Sequence, residues 1–107
     1  MKVAIIGSRN INLDVVLDFI PEQIISGGAK GIDQKAKEYA LKNNIDYLEI
    51  KPNYLKYPSK VAPLKRNEVI VNIADLIIAY WDGKSKGTKY VIDYCKKIGK
   101  ELKINMV

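Results

Sequence analysis

The chain has 107 residues, of which 48% are hydrophobic and 28% are charged. This composition suits a soluble globular protein, and a chain of this length suits one domain and is too short for a second. Histidine is absent and Cys95 is the only cysteine, which excludes imidazole zinc sites, histidine-based catalytic triads, internal disulfides and thiolate metal clusters. With 18 Lys and Arg against 12 Asp and Glu, the formal net charge is +6, which favours anionic partners.

The N-terminal sequence MKVAIIGSRN has too short an apolar run for a secretory signal. No stretch approaches the roughly 20 apolar residues of a membrane span. We therefore expect a cytoplasmic protein with no membrane partner. A homo-oligomer is compatible with the sequence, because small parallel sheets can associate through exposed helices or an edge strand.

The predicted secondary structure alternates strands and helices. The apolar run Val3–Ile6, ended by Gly7, predicts the first strand, and Asn12 can cap a helix that runs to about Ile20 before Pro21. The later elements are predicted as a strand over 23–26, a helix over 31–44, a strand over 46–50, a helix over 63–73, a strand over 76–81, a helix over 88–98 stopped by Gly99, and a strand over 101–106. Residues 51–62 contain two prolines and are predicted as an irregular loop.

Buried-type strands that alternate with helices are typical of a parallel sheet with helices on both faces. The predicted fold class is therefore α/β, a Rossmann-like three-layer sandwich around a five-stranded parallel sheet. The first and fourth strands are the most apolar and should lie together at the centre. This placement gives the strand order 3-2-1-4-5 by analogy with nucleotide-binding sheets.

Three strand-to-helix loops carry residues that suit an anionic ligand. In a parallel sheet such loops open on one edge, and glycine lets backbone N–H groups and helix N-termini approach a phosphate closely. The loops contain Gly7, Ser8, Arg9 and Asn10; Ser26, Gly27, Gly28, Ala29, Lys30 and Gly31; and Asp82, Gly83, Lys84, Ser85, Lys86, Gly87 and Thr88. The alternative is that these glycines only form turns, as they do in many proteins that bind nothing there. Neither the G-x-G-x-x-G fingerprint nor a Walker loop occurs, which disfavours ordinary NAD dehydrogenases and P-loop ATPases.

Arg9 and Arg66 are the only arginines, and both are interpreted as lying in loops. A guanidinium offers a planar fork that grips phosphate or carboxylate bidentately, whereas the 16 lysines supply bulk charge. The placement of both arginines suggests a role in ligand binding, although two residues can fall in loops by chance.

The segments GSR, SGGAKGID, LKRNEVIV, ADLIIAYWDG and SKGT together resemble the SLOG superfamily, the group that includes Smf/DprA and Lonely Guy proteins, and especially its small stand-alone bacterial members of unknown function. The resemblance covers nearly the whole chain. It implies a Rossmann-like domain that binds a nucleotide or a nucleotide-derived ligand. The implied pocket residues are Gly7, Ser8 and Arg9, residues 26–31, Arg66 and Asn67, and residues 83–88.

The chain departs from the Lonely Guy enzymes at their PGGxGTxxE pattern, whose glutamate takes part in cleaving an N-glycosidic bond. Val91 stands at that glutamate's position, and Asp82-Gly83-Lys84-Ser85 replaces the paired glycines. Glu68 or Asp82 could act instead as an acid or base, but a catalytic carboxylate needs hydrogen-bond reach to the bond that breaks. The catalytic residues therefore stay unassigned, and a binding module is favoured over an enzyme.

Several other side chains have two interpretations each. Asp33 suits a helix cap or dipole partner better than a ribose ligand, whereas Asp82, at the end of a central strand, suits ribose hydroxyls or an ordinary turn. The aromatic residues that could stack on a base or simply pack are Trp81, Tyr54 and Tyr57. The lysines that could neutralise phosphates or only solvate the surface are Lys30, Lys84 and Lys86. Cys95 has helical spacing with Val91 and Ile98, which predicts a core position.

Three functions are compatible with this sequence. The first is binding of a nucleotide-derived small molecule, as in a sensor module, with no resident cofactor and no metal. The second is binding of single-stranded nucleic acid in the manner of Smf/DprA, which the +6 charge favours and the lack of basic aromatic tracks disfavours. The third is hydrolysis of a nucleotide derivative.

Overall fold

Eight elements alternate along residues 1–107, all of which the computed structural model describes. They are β1 (Lys2–Gly7), β2 (Gln23–Ser26), α1 (Ile32–Lys42), β3 (Asp46–Glu49), α2 (Ala62–Ile73), β4 (Leu76–Trp81), α3 (Lys86–Ile98) and β5 (Leu102–Met106). All neighbouring strands are parallel, and their order is β3-β2-β1-β4-β5. The predicted α/β, Rossmann-like fold and its strand order are therefore confirmed.

The two central strands, β1 and β4, are the most apolar ones. Ile5 pairs with Ile78 in register, and Ala4 with Ile77. All four side chains are buried. A central parallel strand is covered on both faces, so consecutive residues must be apolar instead of alternating with polar ones.

Hydrophobic cores lie on both faces of the sheet, because successive side chains of a strand point to opposite faces. On one face α1 packs onto the strands through Ile32, Ala36, Ala40 and the strand residues Val3, Ile5, Ile24 and Ile78. On the other face α2 and α3 pack through Ile70, Val71, Val91, Ile92 and Cys95 onto Ala4, Ile6, Ile25, Ile77 and Ala79. Each fully buried isoleucine contributes about 1.5–3 kcal/mol relative to an exposed one.

The segment between β1 and β2, residues 8–22, contains no helix, so the predicted helix over 12–20 is wrong. We refer to this segment as the strap. Ile11 and Val15 are buried on the same sheet face as α1. Val16 and Ile20, which the helical pattern would turn inward, are 75% and 89% exposed.

The composition of the strap explains why no helix forms. Residues 10–20 consist mainly of Asn, Asp, Ile and Val, which have low helix propensity because they bond to nearby backbone groups or lose side-chain freedom in a helix. The strap is instead tied to the rest of the chain at its two ends. Ser8 donates its N–H to the Tyr80 carbonyl of β4 at 3.1 Å, and Glu22 donates its N–H to the Met1 carbonyl at 3.1 Å.

The other predicted bounds agree with the observed ones to within two residues. The largest differences are that α3 begins at Lys86 instead of Thr88 and that α1 ends at Lys42 instead of Asn44. Gly99 ends α3 with a φ of 74°, the left-handed conformation that glycine adopts readily. None of the three helices has the length and apolar character needed to cross a lipid bilayer.

Candidate functional site

A cleft of about 420 Å³ lies at the carboxyl edge of the sheet. It contacts all three predicted loops and the first turns of α2 and α3. Its lining residues are Ile6, Gly7, Arg9, Asn10, Ala29, Asp33, Pro63, Leu64, Arg66, Asn67, Ser85, Gly87, Thr88 and Val91. Segments far apart in sequence meet here because the carboxyl ends of neighbouring parallel strands share one edge of the sheet.

The loop after β1 forms one wall of the cleft and carries Arg9. Ser8 anchors this loop, since its N–H donates to the Tyr80 carbonyl at 3.1 Å and its buried hydroxyl accepts the Asp82 N–H at 3.4 Å. Arg9 itself is exposed, and its guanidinium forms no hydrogen bond or ion pair within the chain. Its fork is therefore free to bind an anion in the cleft.

The glycines after β2 make room for other parts of the chain. A Cβ on Gly27 would lie 2.5 Å from Nη1 of Arg66, and a Cβ on Gly31 would lie 2.6 Å from the Arg9 carbonyl oxygen. Gly31 also has a φ of 80°, which other residues rarely adopt. Within the loop over 26–31, Ala29 is the residue that lines the cleft. The glycines thus bring Arg66 and the β1 loop close to the end of β2.

Behind this loop lies a partly buried polar network. The Ser26 hydroxyl is 2.5 Å from the Tyr47 hydroxyl and 3.5 Å from the Asp33 carbonyl oxygen. Tyr47 in turn donates to Oε1 of Glu49 at 3.4 Å. Burial and the nearby carboxylates raise the pKa of Tyr47, so its hydroxyl stays protonated. The network fixes the end of β2, where the loop starts.

Arg66 lies in α2, as the predicted helix over 63–73 implies; the separate interpretation that placed both arginines in loops is wrong for Arg66. Its Nη1 donates to the Gly27 carbonyl at 2.9 Å and to the Ile50 carbonyl at 3.4 Å, and its Nε donates to Oδ1 of Asn67 at 2.7 Å. Burial lowers the pKa of Arg66, but a guanidinium keeps its charge in proteins. Nη2 has no partner in the chain, so Arg66 can hold the β2 loop and still offer a donor to the cleft.

Asp33 is a buried carboxyl in the wall of the cleft, with 7% of its surface exposed. Its Oδ2 accepts the Ala29 N–H at 3.2 Å. Burial raises the pKa of Asp33 from 3.8 to about 6, although the Ala29 N–H and the charges of Arg66 and Arg9 oppose that rise. Asp33 is thus more than the helix cap expected from its position, because it can gain or lose a proton near neutral pH.

The loop after β4 is organised by its own side chains. Oδ1 of Asp82 accepts the Ser85 N–H at 2.7 Å and the Lys84 N–H at 2.8 Å, and these bonds hold the pKa of Asp82 below its usual value. The indole N–H of Trp81 donates to the Ser85 carbonyl at 3.0 Å. Trp81 also packs against the core formed with α2 and α3, so it supports the loop.

The N-terminus of α3 has no side-chain cap. The N–H groups of Lys86, Gly87 and Thr88 donate to no backbone acceptor. Lys89 is the first residue of α3 whose N–H donates to a backbone carbonyl, that of Ser85. Gly87 and Thr88 line the cleft together with Ser85. Uncapped N–H groups and the partial positive charge of a helix N-terminus attract an anion.

Half of the predicted site residues line the cleft: Gly7, Arg9, Ala29, Asp33, Arg66, Asn67, Ser85, Gly87 and Thr88. The other half belong to the same loops but lie outside the lining: Ser8, Ser26, Gly27, Gly28, Lys30, Gly31, Asp82, Gly83 and Lys86. Reasoning from the sequence missed Ile6, Asn10, Pro63, Leu64 and Val91. Pro63 and Leu64 could have been included, because they open the helix that carries Arg66.

The cleft therefore combines two guanidinium groups, an uncapped helix N-terminus and one buried carboxyl that can change its charge. Glu68, one of the two carboxylates considered as a catalytic substitute, does not line it, and neither does Asp82. Apolar contacts come from Ile6, Leu64 and Val91. Such a site can bind an anionic group at its donor-rich end and an uncharged group against its apolar wall.

Comparison of the chain with protein-family models, with curated proteins and with solved structures finds no match. The site is therefore interpreted from its own geometry and chemistry.

Proposed function

We propose that the chain binds a nucleotide or a nucleotide-derived small ligand in the cleft at the carboxyl edge of the sheet. The observation that carries the proposal is that three separate strand-to-helix loops and Arg66 line a single cleft. The sequence resemblance to SLOG proteins points to the same ligand class. The cleft volume of about 420 Å³ lies within the roughly 300–1,000 Å³ of small-molecule sites.

In this proposal a phosphate group sits between the first turn of α3 and the side chain of Arg9. The N–H groups of Gly87 and Thr88 would donate to it, and Nη2 of Arg66 would approach from the opposite wall. The nucleoside would lie against Leu64 and Val91. A phosphate is favoured over a carboxylate because it has enough oxygens to use donors from several directions at once.

Arg9→Ala is the sharpest variant for testing this proposal, because Arg9 is exposed and supports no other part of the chain. The test is a thermal-shift screen of AMP, GMP, CMP, UMP and their diphosphates, followed by calorimetric titration of the compounds that stabilise the protein. We expect Arg9→Ala to weaken binding about tenfold or more, since it removes a charge-assisted contact. Lys37→Ala is the matched control, because it removes one positive charge from an exposed site on α1 outside the cleft.

Arg66→Ala should abolish binding, but it also removes the bonds to Gly27 and Ile50. Its unfolding curve therefore has to be measured together with its affinity. If a nucleotide binds and neither Arg9→Ala nor a folded Arg66→Ala changes its affinity, the ligand sits elsewhere and the proposal is wrong. If neither these nucleotides nor short oligonucleotides bind the wild-type protein, the proposed ligand class is wrong.

Hydrolysis of a nucleotide derivative is a second candidate function, and Asp33 is the observation that favours it. A carboxyl with a pKa of about 6 in the cleft wall is partly protonated near neutral pH, as a general acid must be. Incubating the protein with nucleoside monophosphates and separating the products by chromatography tests this function. Release of free base by the wild-type protein but not by Asp33→Asn would support it, and no release would leave the binding module.

A further inference from the structure

A second cleft, of about 370 Å³, also has Arg66 in its wall. Its wall contains four positive side chains, Lys51, Lys56, Lys65 and Arg66, and one carboxylate, Glu68. Glu68 already accepts a hydrogen bond from the Tyr90 hydroxyl and lies 3.8 Å from Nζ of Lys65. Lys51 and Lys56 form no ion pair within the chain. The second cleft therefore has a positive charge that no group of the protein neutralises.

The loop that carries two of these lysines is held in place locally. Oδ1 of Asn53 accepts the N–H groups of Leu55 at 3.2 Å and Lys56 at 3.1 Å. Nζ of Lys56 lies 5.4 Å from the centre of the Tyr57 ring, within the range of a cation–π contact. The ordered turn reduces the conformational freedom that the loop would lose when a ligand binds.

Arg66 is the residue that lines both clefts. Its Nη1 is fixed by carbonyl groups at the ends of β2 and β3, those of Gly27 and Ile50. A ligand that occupied both clefts would contact this guanidinium, whose Nη2 has no hydrogen-bond partner in the chain. A phosphate that links two halves of a ligand is the group best suited to that position.

We propose that the ligand is a dinucleotide, with one nucleotide unit in each cleft and the linking phosphate beside Arg66. This inference rests on the proposed function, since it takes the first cleft as a nucleotide site. Each cleft is near the lower end of the size range for small-molecule sites, so each accommodates one unit. The unpaired lysines of the second cleft supply the charge that the second unit needs.

The test uses 5′-phosphorylated mononucleotides and oligonucleotides of two, four and eight units. Each length is prepared as a mixture that represents all four bases, and its affinity is measured by titration at a fixed salt concentration of about 0.15 M. The dinucleotide should bind at least about tenfold more tightly than the mononucleotide, because the second unit binds from within the same complex. The affinity of longer oligonucleotides should exceed that of the dinucleotide by no more than about threefold, since each additional unit lies outside both clefts.

The double variant Lys51→Ala/Lys56→Ala tests the second cleft separately. It should reduce dinucleotide affinity about tenfold and mononucleotide affinity less than about twofold. The double variant Lys37→Ala/Lys97→Ala removes the same charge from exposed positions outside both clefts and should leave both affinities within about twofold.

The possible results separate this inference from the proposed function. If mononucleotides bind in an Arg9-dependent way but the dinucleotide gains nothing, the inference is wrong and the proposed function stands. If neither binds, both are wrong. If affinity keeps rising through eight units, or if the control double variant loses as much as Lys51→Ala/Lys56→Ala, the clefts bind single-stranded nucleic acid by its overall charge and the inference is overturned.

Discussion

Replacing Asp33 with asparagine should stabilise the protein at neutral pH. Burial raises the pKa of Asp33 from 3.8 to about 6, and each pKa unit corresponds to about 1.4 kcal/mol. An ionised Asp33 therefore reduces the free energy of unfolding by about 3 kcal/mol at pH 8. Asparagine has the same shape and can accept the Ala29 N–H through Oδ1, but it has no charge to desolvate.

The pH dependence has a defined direction. Below about pH 3 Asp33 is protonated in both the folded and the unfolded state, so it contributes no pH dependence. Between about pH 3 and pH 7 the folded state binds more protons than the unfolded state, and stability falls as the pH rises. Above about pH 7 the full cost is present. The difference in unfolding free energy between Asp33→Asn and the wild type should therefore grow from its value at pH 4 to a plateau above pH 7.

Urea unfolding followed by circular dichroism at pH 4, 5, 6, 7 and 8 measures this difference. A stabilisation of about 3 kcal/mol corresponds to a rise in the melting temperature on the order of 10 °C or more for a domain of this size. Asp18→Asn is the matched control, because Asp18 is exposed and makes no ion pair, and its difference should stay within about 0.5 kcal/mol. If the Asp33→Asn difference does not change between pH 4 and pH 8, the carboxyl is not held in a costly environment and the reasoning fails.

Three further predictions concern single residues. Gly87→Ala should leave the protein at least as stable, since a Cβ there meets nothing within 4 Å, but it should weaken ligand binding. Gly31→Ala should lower the free energy of unfolding by about 2 kcal/mol or more. Unfolding curves and ligand titrations distinguish the two variants, and equal destabilisation would contradict the expectation. Burial raises the pKa of the Cys95 thiol to about 11, so iodoacetamide at pH 8 should label it only after denaturant is added, and rapid labelling of the folded protein would contradict its burial. Val15→Ala should lower the free energy of unfolding by about 1–2 kcal/mol, and Val16→Lys should lower it by less than about 0.5 kcal/mol. Urea unfolding measures both values, and a large loss for Val16→Lys would mean that the strap packs through both side chains.

The sheet could be predicted from the sequence because its signals are local. The run LIIAYW at 76–81 and the run VAII at 3–6 identify the central strands, and parallel pairing follows from the alternation with helices. The strap could not be predicted in the same way. Val15, Val16, Phe19 and Ile20 have helical spacing, but spacing shows which residues could share a face and not whether a core is present to receive them.

The candidate site was predictable in its position and less so in its chemistry. Strand ends in a parallel sheet meet at one edge, so the three loops could be expected to converge. The environment of Asp33 depends on Arg66 and Arg9, which approach it from other segments of the chain. The same is true of Gly27, whose neighbour is the guanidinium of Arg66. Contacts between distant segments of this kind leave no periodic or compositional pattern in the sequence.

The side chains that surround the cleft are held in place to different degrees. Arg9 is exposed and its guanidinium has no partner within the chain, although Ser8 and the buried Ile11 anchor the backbone on either side of it. Arg66 and Gly87, by contrast, belong to helices whose inner faces are packed into the core. A bound anion would therefore meet Arg66 and Gly87 in fixed positions, while the Arg9 side chain can change its rotamer to suit the size of the ligand.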